Sequence, residues 1–153
     1  MSAVNTSAGF AWDESFLVGH GDMDHTHHEF VQCVDSLLRA SDAQQSAALE
    51  ALAEHAQRHF HEEDAAMRDS AYGSAGCHVD EHAAVLKSLD EVRAALAEGR
   101  HAVVREFARA LADWFPRHAQ VMDLGLARWL NQRRLGGSPV LIQKQKRQAA
   151  EWA

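Results

Sequence analysis

The sequence predicts an all-α protein, an up-down-up-down four-helix bundle, and three observations carry that prediction. Apolar residues recur at helical spacing over four long segments. Two prolines in 153 residues leave those segments almost free of helix breakers. The joints between segments are short, about two to five residues, which favours antiparallel neighbours over crossover connections. The expected division is an N-terminal arm over 1–21, a bundle over 22–135 and a short basic tail over 136–153.

The arm has no helical period, contains Gly9, Gly19 and Gly21, and offers Phe10, Trp12, Phe16 and Leu17 as anchors for packing on the bundle. Asp24 suits the N-cap of a first helix ending near Ala40, with Phe30, Val31, Val34, Leu37 and Leu38 on its apolar stripe. Ser41 and Asp42 cap the second helix, with Gln44 and Gln45 three residues after each as in a capping box. That helix runs to about Ser70 and lines up Leu49, Leu52, Ala56, Phe60 and Met67. A turn at Tyr72-Gly73-Ser74 leads to a third helix, from about Ala75 to Glu98, which Gly99 stops. The fourth starts near His101, runs through Val104, Phe107, Leu111, Trp114, Phe115 and Met122 to about Leu135, and ends at Gly136-Gly137-Ser138-Pro139. Lys144, Lys146 and Arg147 make the tail basic.

Composition excludes several partner classes. A formal net charge of −7 argues against nucleic acid. No apolar run reaches the roughly 18 residues of a membrane span, and the first residues lack the basic start and apolar run of a signal peptide. The expectation is a cytoplasmic monomer. Cys33 and Cys77 are too few for a disulfide framework. Eleven histidines, by contrast, exceed what a bundle of this size needs for packing.

Five of those histidines fall on the inward stripes. His27 lies on the first helix, His59 on the second, His78 and His82 on the third and His118 on the fourth. Glu63 and Asp123 lie nearby in sequence. Residues four apart in a helix project from one face about 5–6 Å apart at Cβ, so His59 with Glu63, and His78 with His82, can converge on one ion. Seven such groups buried without metal would each need a polar partner. His118 and Asp123 are different: five residues is about 140° around a regular helix. Either the carboxylate reaches sideways, or a π-type turn re-phases the face. Pro116 makes irregularity natural, so a kink or widened turn is expected between about Ala112 and Asp123.

With this spacing (His27, His59-x3-Glu63, His78-x3-His82, His118-x4-Asp123), the chain resembles the hemerythrin family of oxygen-binding non-haem di-iron proteins. The likeness covers roughly residues 10–131. It includes Trp12, Val18-Gly19, Asp24 three residues before His27, His59-Phe60-x-Glu62-Glu63, Met67, and Trp114 four residues before His118. The resemblance implies two irons. His78, His82 and His118 would hold one, His27 and His59 the other, and Glu63, Asp123 and an oxo or hydroxo group would bridge them. The second iron then keeps an open position for O2. Phe30, Phe60, Trp114 and Phe115 are the candidates to line an O2 pocket.

Five imidazoles with only two carboxylates favour the ferrous state, hence reversible binding over O–O cleavage. The first expectation is therefore an O2-binding protein for storage, delivery or sensing rather than an enzyme. The alternative is a di-iron peroxidase or a protein responding to nitric oxide or redox state through the same site. Three departures from the family pattern (His20, Ala119 and Leu126) would enlarge or wet the pocket and favour peroxide or nitric oxide. His25, His28, His55, His61 and His101 are read as solvated, Asp64 as part of a solvated acidic run, and Cys77 as buried.

Overall fold

A computed structural model describes residues 9–134. The expected tail over 136–153, residues 1–8 of the arm and Leu135 lie outside the described residues. Four helices form the bundle: α1 (Gly21–Arg39), α2 (Gln45–Asp69), α3 (Ala75–Ala97) and α4 (His101–Arg117). α4 continues without a loop through a π-helical turn (His118–Asp123) into α5 (Leu124–Arg134). α1 packs on α2 and α4, and α3 packs on the same two, which closes an all-α up-down-up-down bundle.

The stripes read from the sequence face inward. Phe30, Val31, Val34 and Leu37 of α1 are buried against Leu49, Leu52 and Phe60 of α2, Val85 and Leu89 of α3, and Val104, Leu111 and Phe115 of α4. A second apolar cluster of Val18, Met23, Met67, Leu126 and Ala127 lies apart from the first. Tyr72 and Trp129 back it, and the Trp129 indole N–H donates to Ser70 Oγ at 2.9 Å. Gly125 gives this contact room, because a Cβ there would stand 2.8 Å from the Tyr72 hydroxyl.

The arm packs on the bundle through aromatic edges. Phe16 meets Phe115 at 5.3 Å between ring centroids, and the Phe10 N–H donates to Asp35 at 2.8 Å. Two local expectations need correction. α1 starts four residues earlier than a cap at Asp24 would set it, and His20, not Asp24, is its N-cap, with Nδ1 accepting from the Met23 N–H. Asp24 instead reaches back along the chain and accepts from the Val18 and Gly19 N–H groups, tying the arm to α1. Gly19 has φ +78°, the left-handed conformation that lets the arm turn into the helix. Before α2 the chain makes a 3-10 turn at Asp42–Gln44, and Gln44 Oε1 accepts from the Ser41 N–H as the capping-box reading expects.

Candidate metal centre

Each of the seven singled-out residues is buried, and their side chains meet at one place. Their atoms divide in two. Glu63 Oε2 lies 2.7 Å from His59 Nε2 and 3.6 Å from His27 Nε2. Its other oxygen, Oε1, lies 3.4 Å from His78 Nε2 and 3.3 Å from His82 Nε2. Asp123 repeats the pattern. Oδ2 is 3.0 Å from His27 Nε2, while Oδ1 is 2.8 Å from His78 Nε2 and 3.2 Å from His118 Nε2. Both carboxylates thus turn one oxygen toward a three-histidine half and one toward a two-histidine half. Atoms sharing an ion at about 2.1 Å stand roughly 3 Å apart, which is the spacing found.

The π turn explains how Asp123 enters this set. After Pro116, which has no N–H to give to the Ala112 carbonyl, six residues from His118 to Asp123 wind more widely than an α-helix. The widened turn brings residues five apart onto one face. Of the two routes left open by the sequence, the chain takes re-phasing.

Outer contacts fix the imidazoles of the three-histidine half. His82 donates its Nδ1–H to Asp64 at 2.8 Å, and His118 donates its Nδ1–H to Glu81 at 2.7 Å. A carboxylate only accepts, so the protons sit on Nδ1 and the Nε2 lone pairs face the centre. Those Nε2 atoms are buried without a hydrogen-bond partner, as are His27 Nε2, Glu63 Oε1 and Asp123 Oδ2. Unpaired nitrogen and oxygen lone pairs converging from the four helices and the π turn are what a cation satisfies. Two groupings have ligand atoms mutually within 4.8 Å: Glu63 with His78, His82, His118 and Asp123, and His27 with His59 and Glu63.

Electrostatics agree. Burial disfavours the charged ring of His27, yet Asp123 and Glu63 outweigh it and push its pKa up to about 9. His78 is pushed up to about 9 by the same balance. Burial raises Glu63 and Asp123, but the surrounding imidazoles override it and hold both carboxyls below the usual range. Protons thus occupy places a cation would take, so metal uptake releases them and weakens in acid.

The four aromatic candidates surround the cluster. Phe60 stacks on His82 at 4.1 Å between ring centroids, and Trp114 on His118 at 4.2 Å. Phe115 meets His27 edge-on at 5.3 Å, and Phe30 meets His59 at 6.3 Å.

Several residues depart from their sequence reading. His55 is buried, not solvated: its Nε2–H donates to the Thr26 carbonyl at 3.2 Å, and its ring lies edge-on to His59. Burial and the neighbouring His59 push it down to about 4. Asp64 is half-buried on His82 rather than solvated. Glu81 was not singled out at all. His101 is half-buried against Gln45, and exposed His28 stacks on Trp12 at 3.5 Å. His25 and His61 are exposed as expected. Cys77 is exposed, contrary to its expected burial, and Cys33 is half-buried; both are free thiols. The missed groups left a trace: His55 stands one turn before His59, Asp64 one turn after Phe60, and Glu81 three residues after His78.

No helix among the described residues is long and apolar enough to cross a membrane. Residues 18–130 match the family model described as the hemerythrin HHE cation binding domain. The chain is 35% identical over 122 residues to a bacteriohemerythrin of Ralstonia nicotianae, covering 80% of this chain and 89% of that one. It is 29% identical over 114 residues to a myohemerythrin of Sipunculus nudus, covering 74% and 88%. The matched span holds all seven clustered residues, their carboxylate partners and the surrounding aromatic rings, and on these grounds the chain belongs to the hemerythrin family.

Proposed function

We propose that this chain is a non-haem di-iron protein that binds O2 reversibly. Family membership and the buried His/Glu/Asp cluster support non-haem iron binding. Two ions are supported by one observation above all: each of the two carboxylates turns one oxygen toward the His78, His82 and His118 half and the other toward the His27 and His59 half. In this reading His78, His82 and His118 would hold one iron and His27 and His59 the other, and Glu63 and Asp123 would bridge them together with an oxo or hydroxo group.

When bound, the two ferrous ions supply the electrons on which reversible O2 binding depends. The chain's own residues set the conditions. Asp64 and Glu81 hold His82 and His118 in the Nδ1–H tautomer, so Nε2 stays free to bind. The two-histidine half has one protein ligand fewer, leaving a position for a small molecule. Phe30, Phe60, Trp114 and Phe115 press on the imidazoles and keep water from most of the centre, which slows loss of the bound state by external protons.

A peroxidase or nitric-oxide-responsive role is the second reading. It is favoured by a cleft of about 220 Å³ that reaches His59 and Glu63 and is lined partly by polar groups. One experiment separates the two. Iron-loaded protein is reduced anaerobically, O2 is admitted, and the visible ligand-to-iron charge-transfer band is followed. The O2-binding reading expects a stable band that bleaches under vacuum and returns with O2. Immediate conversion to the diferric form without that band contradicts it and supports the second reading.

A further inference from the structure

Access to a centre enclosed by four helices has to come through a gap, and three gaps that touch the clustered side chains can be compared. One, about 220 Å³, reaches His118 beside Arg117. Another, about 520 Å³, reaches His78 past Cys77 and Tyr72. The third, about 220 Å³, opens where the start of α1 faces α2 and α5. It differs from the others in both charge and destination. Asp22 and Glu62, both exposed, stand among its lining residues, with His20 and the Thr26 side chain beside them. Ala66, Leu126 and Leu130 form its apolar wall. At its inner end are His59 and Glu63, 5% and 6% exposed. The Glu63 carboxylate there turns Oε2 toward His59 and His27, and its Oε1, which has no hydrogen-bond partner, toward the other half. Among the described residues the lining includes no lysine or arginine.

We propose that this cleft is the port through which divalent cations enter and leave the two-histidine half of the centre. Asp22 and Glu62 act as transient carboxylates at its mouth. The inference rests on the metal-binding reading of the seven residues and adds a route and two residues to it. Three physical points carry it. A cation leaving water must exchange its hydration shell for oxygen ligands stepwise, and carboxylates at the mouth lower the cost of the first exchange. A cleft of about 220 Å³ has room for about seven waters at their liquid share of roughly 30 Å³, enough for a partly hydrated ion. Among the described residues the formally charged side chains at its mouth, Asp22 and Glu62, are both negative, which concentrates cations and repels anions. The openings at His78 and His118 lead to the half already filled by three imidazoles.

The experiment uses the iron-loaded, reduced protein. Under anaerobic conditions, ferrous release to a chelator and exchange against Co²⁺ are timed in the wild type and in variants that keep full iron content and helical circular dichroism. Ala66→Trp places an indole in the cleft and is expected to slow both rates about tenfold or more, with Leu130→Trp as a second plug from α5. Asp22→Asn combined with Glu62→Gln is expected to slow exchange about tenfold at low salt, the difference shrinking as salt rises. Val121→Trp, on an exposed residue of the other two openings, is expected to leave the rates at the wild-type level. Wild-type rates in both tryptophan plugs overturn the port, as does equal slowing by Val121→Trp. A wild-type protein that takes up no metal would instead overturn the metal-binding reading itself, so the two failures are distinct.

Discussion

Asp64 and Glu81 touch no atom at the middle of the centre, yet they decide which nitrogen of His82 and His118 is free. Removing either carboxylate releases the ring and lowers the basicity of its Nε2, so Asp64→Ala and Glu81→Ala are each expected to weaken metal binding about 10- to 100-fold. Chelator competition measures this, and unchanged affinity in both variants would contradict the assigned tautomers. His55 makes a second prediction. Its folded pKa of about 4 lies below its ordinary value of 6.5, so it is neutral in the fold. Between those values the unfolded chain takes up a proton that the folded one does not, and the stability tied to neutral His55 is present above 6.5 and lost as pH falls toward 4. Tm should therefore fall less steeply over that window in His55→Gln than in the wild type; parallel curves would count against it. Six of the seven clustered residues were legible because helical spacing put them on apolar stripes; Asp123, five residues from His118, needed the widened turn. His55 and Asp64 were not, because a residue's angle on its own helix does not say whether a neighbouring helix covers that flank. Cys77 erred the other way, its thiol left exposed in the first turn of α3.

The π turn over His118–Asp123 is the element on which the site depends, and its logic is one extra residue. A π turn carries one residue more than the α-helical turn it replaces and leaves the flanking faces in phase. Deleting exposed Val121 is therefore expected to regularise the helix, set the histidine and aspartate four apart, and preserve metal content. Inserting one alanine between Gln120 and Val121 rotates Asp123 and α5 by about 100° and is expected to lose metal from the site and burial of Leu126. Metal analysis with circular dichroism checks both; loss of metal on deletion would show that the wide turn itself shapes the site. The five-residue offset together with Pro116 made this irregularity readable in advance. The start of α1 was not, because His20 caps the helix before its apolar stripe begins, while Asp24, a good cap by residue type, serves the arm instead.

At the scale of the whole molecule, seven polar side chains separate the large apolar cluster around Phe30, Leu52 and Phe115 from the smaller one around Met67 and Leu126. Neither cluster satisfies the orphaned nitrogens and oxygens between them. Metal binding and folding are therefore linked, and the bundle's architecture follows from its apolar stripes while its centre follows from the ions it accepts. The central claim is that these seven residues form one centre for two ions. It is tested most directly by the metal content of protein purified without added metal and then titrated anaerobically with ferrous iron. Saturation at two irons per chain is expected in the wild type, with loss of iron in His118→Ala. Saturation at one iron, or full iron content in His118→Ala, would contradict it.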